Sequence, residues 1–350
     1  MNTKINKNNV NVDNPNENIF DSDPQKIKYY SNLVNNCYFN YFDNIFCVFS
    51  SVNNILYLVY LYKKENEKLN SMVFFNILEN KRINEIKNSH SELITNLRHY
   101  NDKNNKRDLI ISISSRNNNI KLWNINNFEC ILDLREINKN GLLFSACFFI
   151  EDKQIYLMTS NNSYTNSEKI KVFDLKGNKI KEINDSNEKT IFIDIYYDKK
   201  FFKNYILTGN KNNVKSYDYE ENKIYKIYDN KDIGNHNSII VVDSEGIIKL
   251  IESSSTGRIR IWNFHSGQLL KIVTVYRNKH QVFGLCLWNN EFLFAGCGDG
   301  DIKLINYNRA RNIKDLKGHN SDVLAIKKFI HPEYGECLIS ISDEIKLWKI

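Results

Sequence analysis

Apolar residues in this chain fall into many short runs separated by polar turns. Residues 93–100, 109–115, 120–125 and 130–134 form one such series, and 282–288, 292–298, 302–307 and 311–316 form another. The runs are rich in β-branched and aromatic side chains and too short for helices, so they predict strands. Some, such as Ile191-Phe-Ile-Asp-Ile-Tyr-Tyr197, are apolar at nearly every position. That is expected of a strand buried on both faces between packed sheets. Asn117-Asn-Asn119, Thr256-Gly257, Asn289-Asn290 and Gly298-Asp-Gly300 lie between runs and supply residues that tolerate turn backbone angles.

One pattern recurs: an apolar-basic-apolar strand, a bulky residue, then in most copies Asn or Asp. Ile120-Lys-Leu-Trp123-Asn124, Ile170-Lys-Val-Phe173-Asp174 and Ile259-Arg-Ile-Trp262-Asn263 are three copies. The bulky residue is Phe75, Trp123, Phe173, Tyr217, Trp262, Ile305 and Trp348 in turn, at spacings of 48, 50, 44, 45, 43 and 43. A period of about 40–45 residues with four strands per unit predicts a propeller. A length of 350 would by itself suggest two domains. Seven copies of one unit predict a single all-β domain over residues 27–350 instead, a seven-bladed β-propeller of four-stranded antiparallel blades. The seventh unit is one strand short, whereas residues 27–38 precede the first unit's own strands at 45–50, 55–62, 72–77 and 83–86. An open blade would expose unpaired backbone groups. Residues 27–38 are therefore expected to pair with 345–350 and close the ring. Residues 1–26, rich in Asn and poor in large apolar side chains, are expected to form a disordered tail.

The seventh unit runs from Gly318-His319 through Val323 and Cys337-Leu-Ile-Ser340 to Leu347-Trp348. It resembles the repeat of the WD-repeat family, which begins at a Gly-His pair and ends at a Trp-Asp pair. The resemblance implies a hydrogen-bonded tetrad inside the blade, formed here by His319, Ser340, Asp343 and Trp348. A His and an Asp carried into a sheet need partners, because burying them unpaired costs several kcal/mol. The same comparison implies His90, Ser115, Asn117 and Trp123 in the second unit and His236, Ser254, Thr256 and Trp262 in the fifth. The sixth unit retains Asp299 but has Ile305 at the Trp position, and the first, third and fourth retain only the strand pattern.

Composition adds exclusions. No apolar run reaches the length of about 18 residues that a membrane helix needs, and the first residues lack the apolar stretch of a secretory signal. The seven Cys are scattered, with neither C-x-x-C nor zinc-ligand spacing, and are expected to be reduced thiols in the cytoplasm or nucleus. A net charge of +7, from 48 basic and 41 acidic side chains interspersed along the chain, gives no nucleic-acid footprint. The 55 Asn outnumber 13 Gly and 3 Pro, so Asn is expected to do much of the turn work.

Catalytic chemistry finds little support. Three of the seven His occupy the repeat's structural position, and no P-loop, G-x-S-x-G or H-E-x-x-H occurs in its required context. Gly296-Cys-Gly298-Asp-Gly300 lies between two strands, as a hairpin turn would. Trp288, outside the repeated pattern, suits either a half-buried core position or an exposed anchor. Neither the Arg-Arg-Gly of lipid-binding propellers nor the Trp-Asp-x-Arg of ubiquitin-ligase adaptors is present. Loops are where a rigid scaffold carries binding, and Arg116, Tyr276 and Arg277 are the candidate contacts there, Arg and Tyr being enriched in hot spots. The expected function is a non-catalytic platform for one or more protein partners, with no cofactor, no metal and no membrane. Two alternatives stay open: an enzyme with ionisable residues converging on the channel axis, of which the sequence shows no such set, and a propeller that binds RNA or DNA.

Overall fold

The computed structural model describes residues 20–35, 46–62, 71–135, 141–160, 162–163, 169–184, 190–229, 234, 236–244, 246–276 and 280–350. They form seven four-stranded antiparallel sheets and one two-stranded ribbon that pairs Gly141–Leu142 with Asn162–Ser163. The innermost strands of blades 1 to 7 are Phe46–Ser50, Ile94–Asp102, Ala146–Glu151, Phe192–Asp198, His236–Ser244, Val282–Leu287 and Ala325–His331. Each contacts the innermost strand of the next blade, and the seventh contacts the first, so the ring is closed. The repeated bulky residues lie on the third strands, Ser71–Asn76, Asn119–Asn124, Lys169–Asp174, Val214–Asp218, Arg258–Asn263, Ile302–Asn306 and Ile345–Lys349.

Strand pairing explains the basic residue in the pattern. It stands two positions before the bulky residue and faces an acid on the outer strand in three blades: Lys121 opposite Asp133, Lys171 opposite Glu182, and Lys303 opposite Asp315. Lys303 Nζ lies 2.7 Å from Asp315 and 3.1 Å from Asp301. Opposite charges at directly paired positions stabilise a sheet. Asn54, Asn80, Asn88, Asn118 and Asn222 adopt positive φ, in the turn role expected from composition.

The last sheet has three strands of its own, and its fourth is Lys28–Val34, paired antiparallel with Ile345–Lys349. Lys349 Nζ sits 3.6 Å from the Tyr30 ring centroid and 4.0 Å from that of Tyr334, and the two hydroxyls are 3.0 Å apart. The ends of the chain are thus joined by backbone pairing and by an ammonium held between two rings.

The expected tail boundary at residue 26 is corrected by the segment before this strand; residues 1–19 lie outside the described residues. Phe20 is buried edge-on against Trp288, with ring centroids 4.7 Å apart, and Lys328 Nζ lies over its ring. The backbone N–H groups of Asp21 and Ser22 donate to the Glu336 carboxylate, each at 2.9 Å. Trp288 Nε1 donates to Ser22 O at 2.9 Å, and Lys314 Nζ donates to Gln25 O and Ile27 O. Composition misses this clasp because one aromatic residue, Phe20, supplies its apolar anchor. Phe20→Ala is expected to cost about 3 kcal/mol by emptying that pocket, read as a lowered urea midpoint; an unchanged midpoint would show that the clasp does not hold.

Candidate functional site

In blade 7, His319 Nε2 lies 2.6 Å from Ser340 Oγ, and Trp348 Nε1 donates to the same oxygen at 2.7 Å. Asp343 does not complete a hydrogen-bonded tetrad: its carboxylate accepts from Ser321 Oγ at 3.3 Å, and His319 Nδ1 is buried without a hydrogen bond among the described residues. The turn from Ser340 to Ile345 is short, which sets Asp343 beside the His and not on it. His319, Asp343 and Glu344 offer ligand atoms within 4.8 Å of one another. Lys346 occupies that charge environment, with Nζ 2.7 Å from Glu344 and a hydrogen bond to Gly318 O. A cation entering there would have to displace an ammonium already in place.

Blade 2 repeats the arrangement with a different serine. His90 Nε2 lies 2.7 Å from Ser112 Oγ, to which Trp123 Nε1 donates at 2.8 Å. Ser115 sits at the same separation from its Trp as Ser340 does, but the turn before the third strand is longer here. Register decides the partner instead: Ser112 faces Lys121 as Ser340 faces Lys346.

In blade 5 the same register position holds Glu252, opposite Arg260, so Ser254 is not the tetrad residue. His236 Nδ1 lies 2.8 Å from Glu252 Oε2, and Arg260 Nη1 donates to Glu252 Oε1 at 2.9 Å. Ser254 Oγ and Thr256 Oγ1 accept from the guanidinium at 3.2 and 3.4 Å. Arg260 faces Ile272 on the outer strand. The acid found on the outer strand of blades 2, 3 and 6 is here on the inner side of the basic residue. Burial would raise the Glu252 pKa, but the hydrogen bonds and charges of His236 and Arg260 outweigh it and hold the carboxyl below its usual range. Trp262 keeps its packing place, its Nε1 buried without a hydrogen bond among the described residues.

The three candidate contact residues fare differently. Arg116 is exposed in the turn after the second strand of blade 2. Tyr276 is half-buried between blades 5 and 6, where its hydroxyl donates to Asp299 and Lys303 Nζ lies 5.3 Å from its ring centroid. Arg277 lies outside the described residues. Neighbouring contacts thus occupy Tyr276, and Arg116 alone of the three is seen to stand free on the surface.

A stronger surface feature lies at the opposite face, on the hairpin joining the first two strands of blade 4. Phe201 is 52% exposed and Phe202 68%, and Lys199 and Lys200 beside them are exposed. The turn is tied down from below. Asp198 Oδ1 accepts the N–H groups of Lys200 and Phe201 at 2.8 and 3.2 Å, and Asp198 Oδ2 lies 3.1 Å from His265 Nε2. The His265 ring meets Phe201 edge-on at 5.2 Å. Phe202 has φ 53, a left-handed conformation uncommon for a bulky residue. The signal was present in the sequence as Lys199-Lys-Phe-Phe202, two adjacent Phe in a turn between two strands.

The six described cysteines are free, five of them buried. No helix among the described residues is long and apolar enough to cross a membrane. No protein-family model matches the chain, and no curated protein matches it.

Burial, reinforced by the charges of Lys121 and Lys346, pulls the pKa values of His90 and His319 down to about 4. In the unfolded chain each His takes up its proton near pH 6.5. Stability is therefore full above that pH and is lost as pH falls toward 4, by up to about 1.4 kcal/mol per pH unit for each His. The denaturation midpoint is expected to drop between pH 6.5 and 4.5, and to drop less steeply in His90→Asn/His319→Asn; parallel profiles would show that these rings do not set the slope.

Proposed function

We propose that the chain is a WD-repeat-type propeller acting as a non-catalytic platform for protein partners in the cytoplasm or nucleus. The hydrogen bonds between histidine, serine and tryptophan in blades 2 and 7 support the WD-repeat assignment. Three potential catalytic histidines, His90, His236 and His319, are buried inside blades and joined to strand residues, which speaks for structural work.

The observation that carries the platform reading is the hairpin of blade 4. Two adjacent, exposed aromatic rings cost solvation and add no core, and aromatic residues are enriched where partners dock. Asp198 and His265 hold the turn in shape, so little ordering cost remains when a partner binds. Lys199 and Lys200 make no ion pair among the described residues and would favour an acidic rim on that partner.

Quantitative affinity purification of the full chain from its native cell, compared with Phe201→Ser/Phe202→Ser and with Arg116→Glu, tests the reading. The Phe variant is expected to fold as the wild type does, by far-UV circular dichroism, and to lose its principal partners at least tenfold. Arg116→Glu is expected to lose fewer. Partners retained at wild-type abundance in the Phe variant would remove this hairpin as the docking element.

A further inference from the structure

Blades 2 and 7 share a buried core in which a serine hydroxyl lies between a His ring nitrogen and a Trp N–H. They differ in what stands near the His. Counting back from the lysine that faces the serine, Asn118 and Asn119 stand in blade 2 where Asp343 and Glu344 stand in blade 7. Two carboxylates therefore converge on His319. The ligand atoms of His319, Asp343 and Glu344 lie within 4.8 Å of one another, and among the described residues no other three His, Cys, Asp or Glu side chains come together in this way. Spacing along the sequence hides the set, because the hairpin of Ala325–His331 and Gly335–Ile341 lies between His319 and the two acids.

His319 sets this group apart from a cluster of surface acids. It is 8% exposed, and its Nδ1 is buried without a hydrogen bond among the described residues. Ser340 Oγ stands 2.6 Å from Nε2, and a ring N–H donated there leaves a bare lone pair at Nδ1. An imidazole that binds a metal through one nitrogen typically donates its other N–H to such a partner. Asp343 has an outer contact of the same kind, accepting from Ser321 Oγ at 3.3 Å. Asp343 makes no hydrogen bond to His319, yet the two stay close enough for a cation bonded to both at about 2.1 Å to draw them together. Lys346 is the competing cation. Its ammonium lies 2.7 Å from Glu344, donates to Gly318 O and sits 5.5 Å from the Tyr29 ring centroid. A divalent cation would displace it from Glu344 alone, since the carbonyl and the ring remain to it.

We propose that blade 7 carries a binding site for one divalent transition-metal cation of the zinc type, held by His319 Nδ1, Asp343 and Glu344. One imidazole and two carboxylates suit zinc and leave a position for water. The imidazole disfavours magnesium and calcium, which take oxygen ligands. Bound there, the ion ties the turn before Ile345–Lys349 to the Gly318-His319 segment that leads into the blade, so its role is structural. The proposal is independent of any partner docking on the hairpin of blade 4.

Isothermal titration of the full chain, stripped of metal with a chelator, with zinc chloride at neutral pH tests it. The wild type is expected to bind one zinc ion, and Asp343→Asn and Glu344→Gln should each weaken that binding at least tenfold, since even the loss of an outer contact costs a metal site about that much. His319→Asn should do the same, His90→Asn should leave binding unchanged, and Lys346→Gln should tighten it several-fold. Zinc should also raise the urea midpoint of the wild type and not that of Glu344→Gln. Should His319→Asn fail to fold, the two turn variants, confirmed as folded by circular dichroism, decide the matter. Absence of saturable zinc binding to the wild type overturns the proposal, and so does binding that Asp343→Asn and Glu344→Gln leave unchanged.

Discussion

A ring of seven sheets closes only if every blade delivers its innermost strand at the same height and its bulky third-strand residue at the same distance from the axis. Here that constraint is met by one repeated register: in each blade the residue before the bulky one faces the second strand, which in turn faces the same layer of the innermost strand. Lys28–Val34 supplies the final sheet's missing strand, joining residues more than 300 positions apart in the chain. Because that pairing completes the last blade, loosening it would open the whole ring at one seam. The Phe20 clasp and the Lys349 cage lie on the same seam.

The buried polar groups follow from this geometry. The position facing the basic third-strand residue holds a serine hydroxyl in blades 2 and 7, shared by a His and a Trp. In blade 5 it holds a carboxylate, and the cost of burying that charge is offset by an arginine and a histidine on either side. Each solution satisfies one strand position with the side chains that register brings to it. The ionisable groups are thereby largely committed to structure, and the exposed aromatic hairpin of blade 4 becomes the prominent unassigned surface.

Much of this was legible in the sequence. The seven bulky residues and their spacing gave the blade number, and the shortfall of one strand after Trp348 gave the closure. Individual partners were harder to read. Ser115 and Ser254 precede Trp123 and Trp262 by the separation seen between Ser340 and Trp348, but turn length differs between blades, and pairing selects Ser112 and Glu252. Asp343 belongs to a turn too short to bring it onto His319. The clasp at Phe20 was invisible because it depends on contacts between residues more than 250 positions apart in the chain. Phe201 and Phe202, by contrast, were visible as aromatic residues in a turn.

Ring closure is the claim on which the rest stands, and amide hydrogen exchange followed by mass spectrometry addresses it most directly. The amides of Lys28–Val34 and Ile345–Lys349 should exchange together, slowly, and only through opening events as costly as unfolding of the ring. Fast exchange of Lys28–Val34 while Ile345–Lys349 stays protected would contradict the account, since the last blade would then hold without its closing strand.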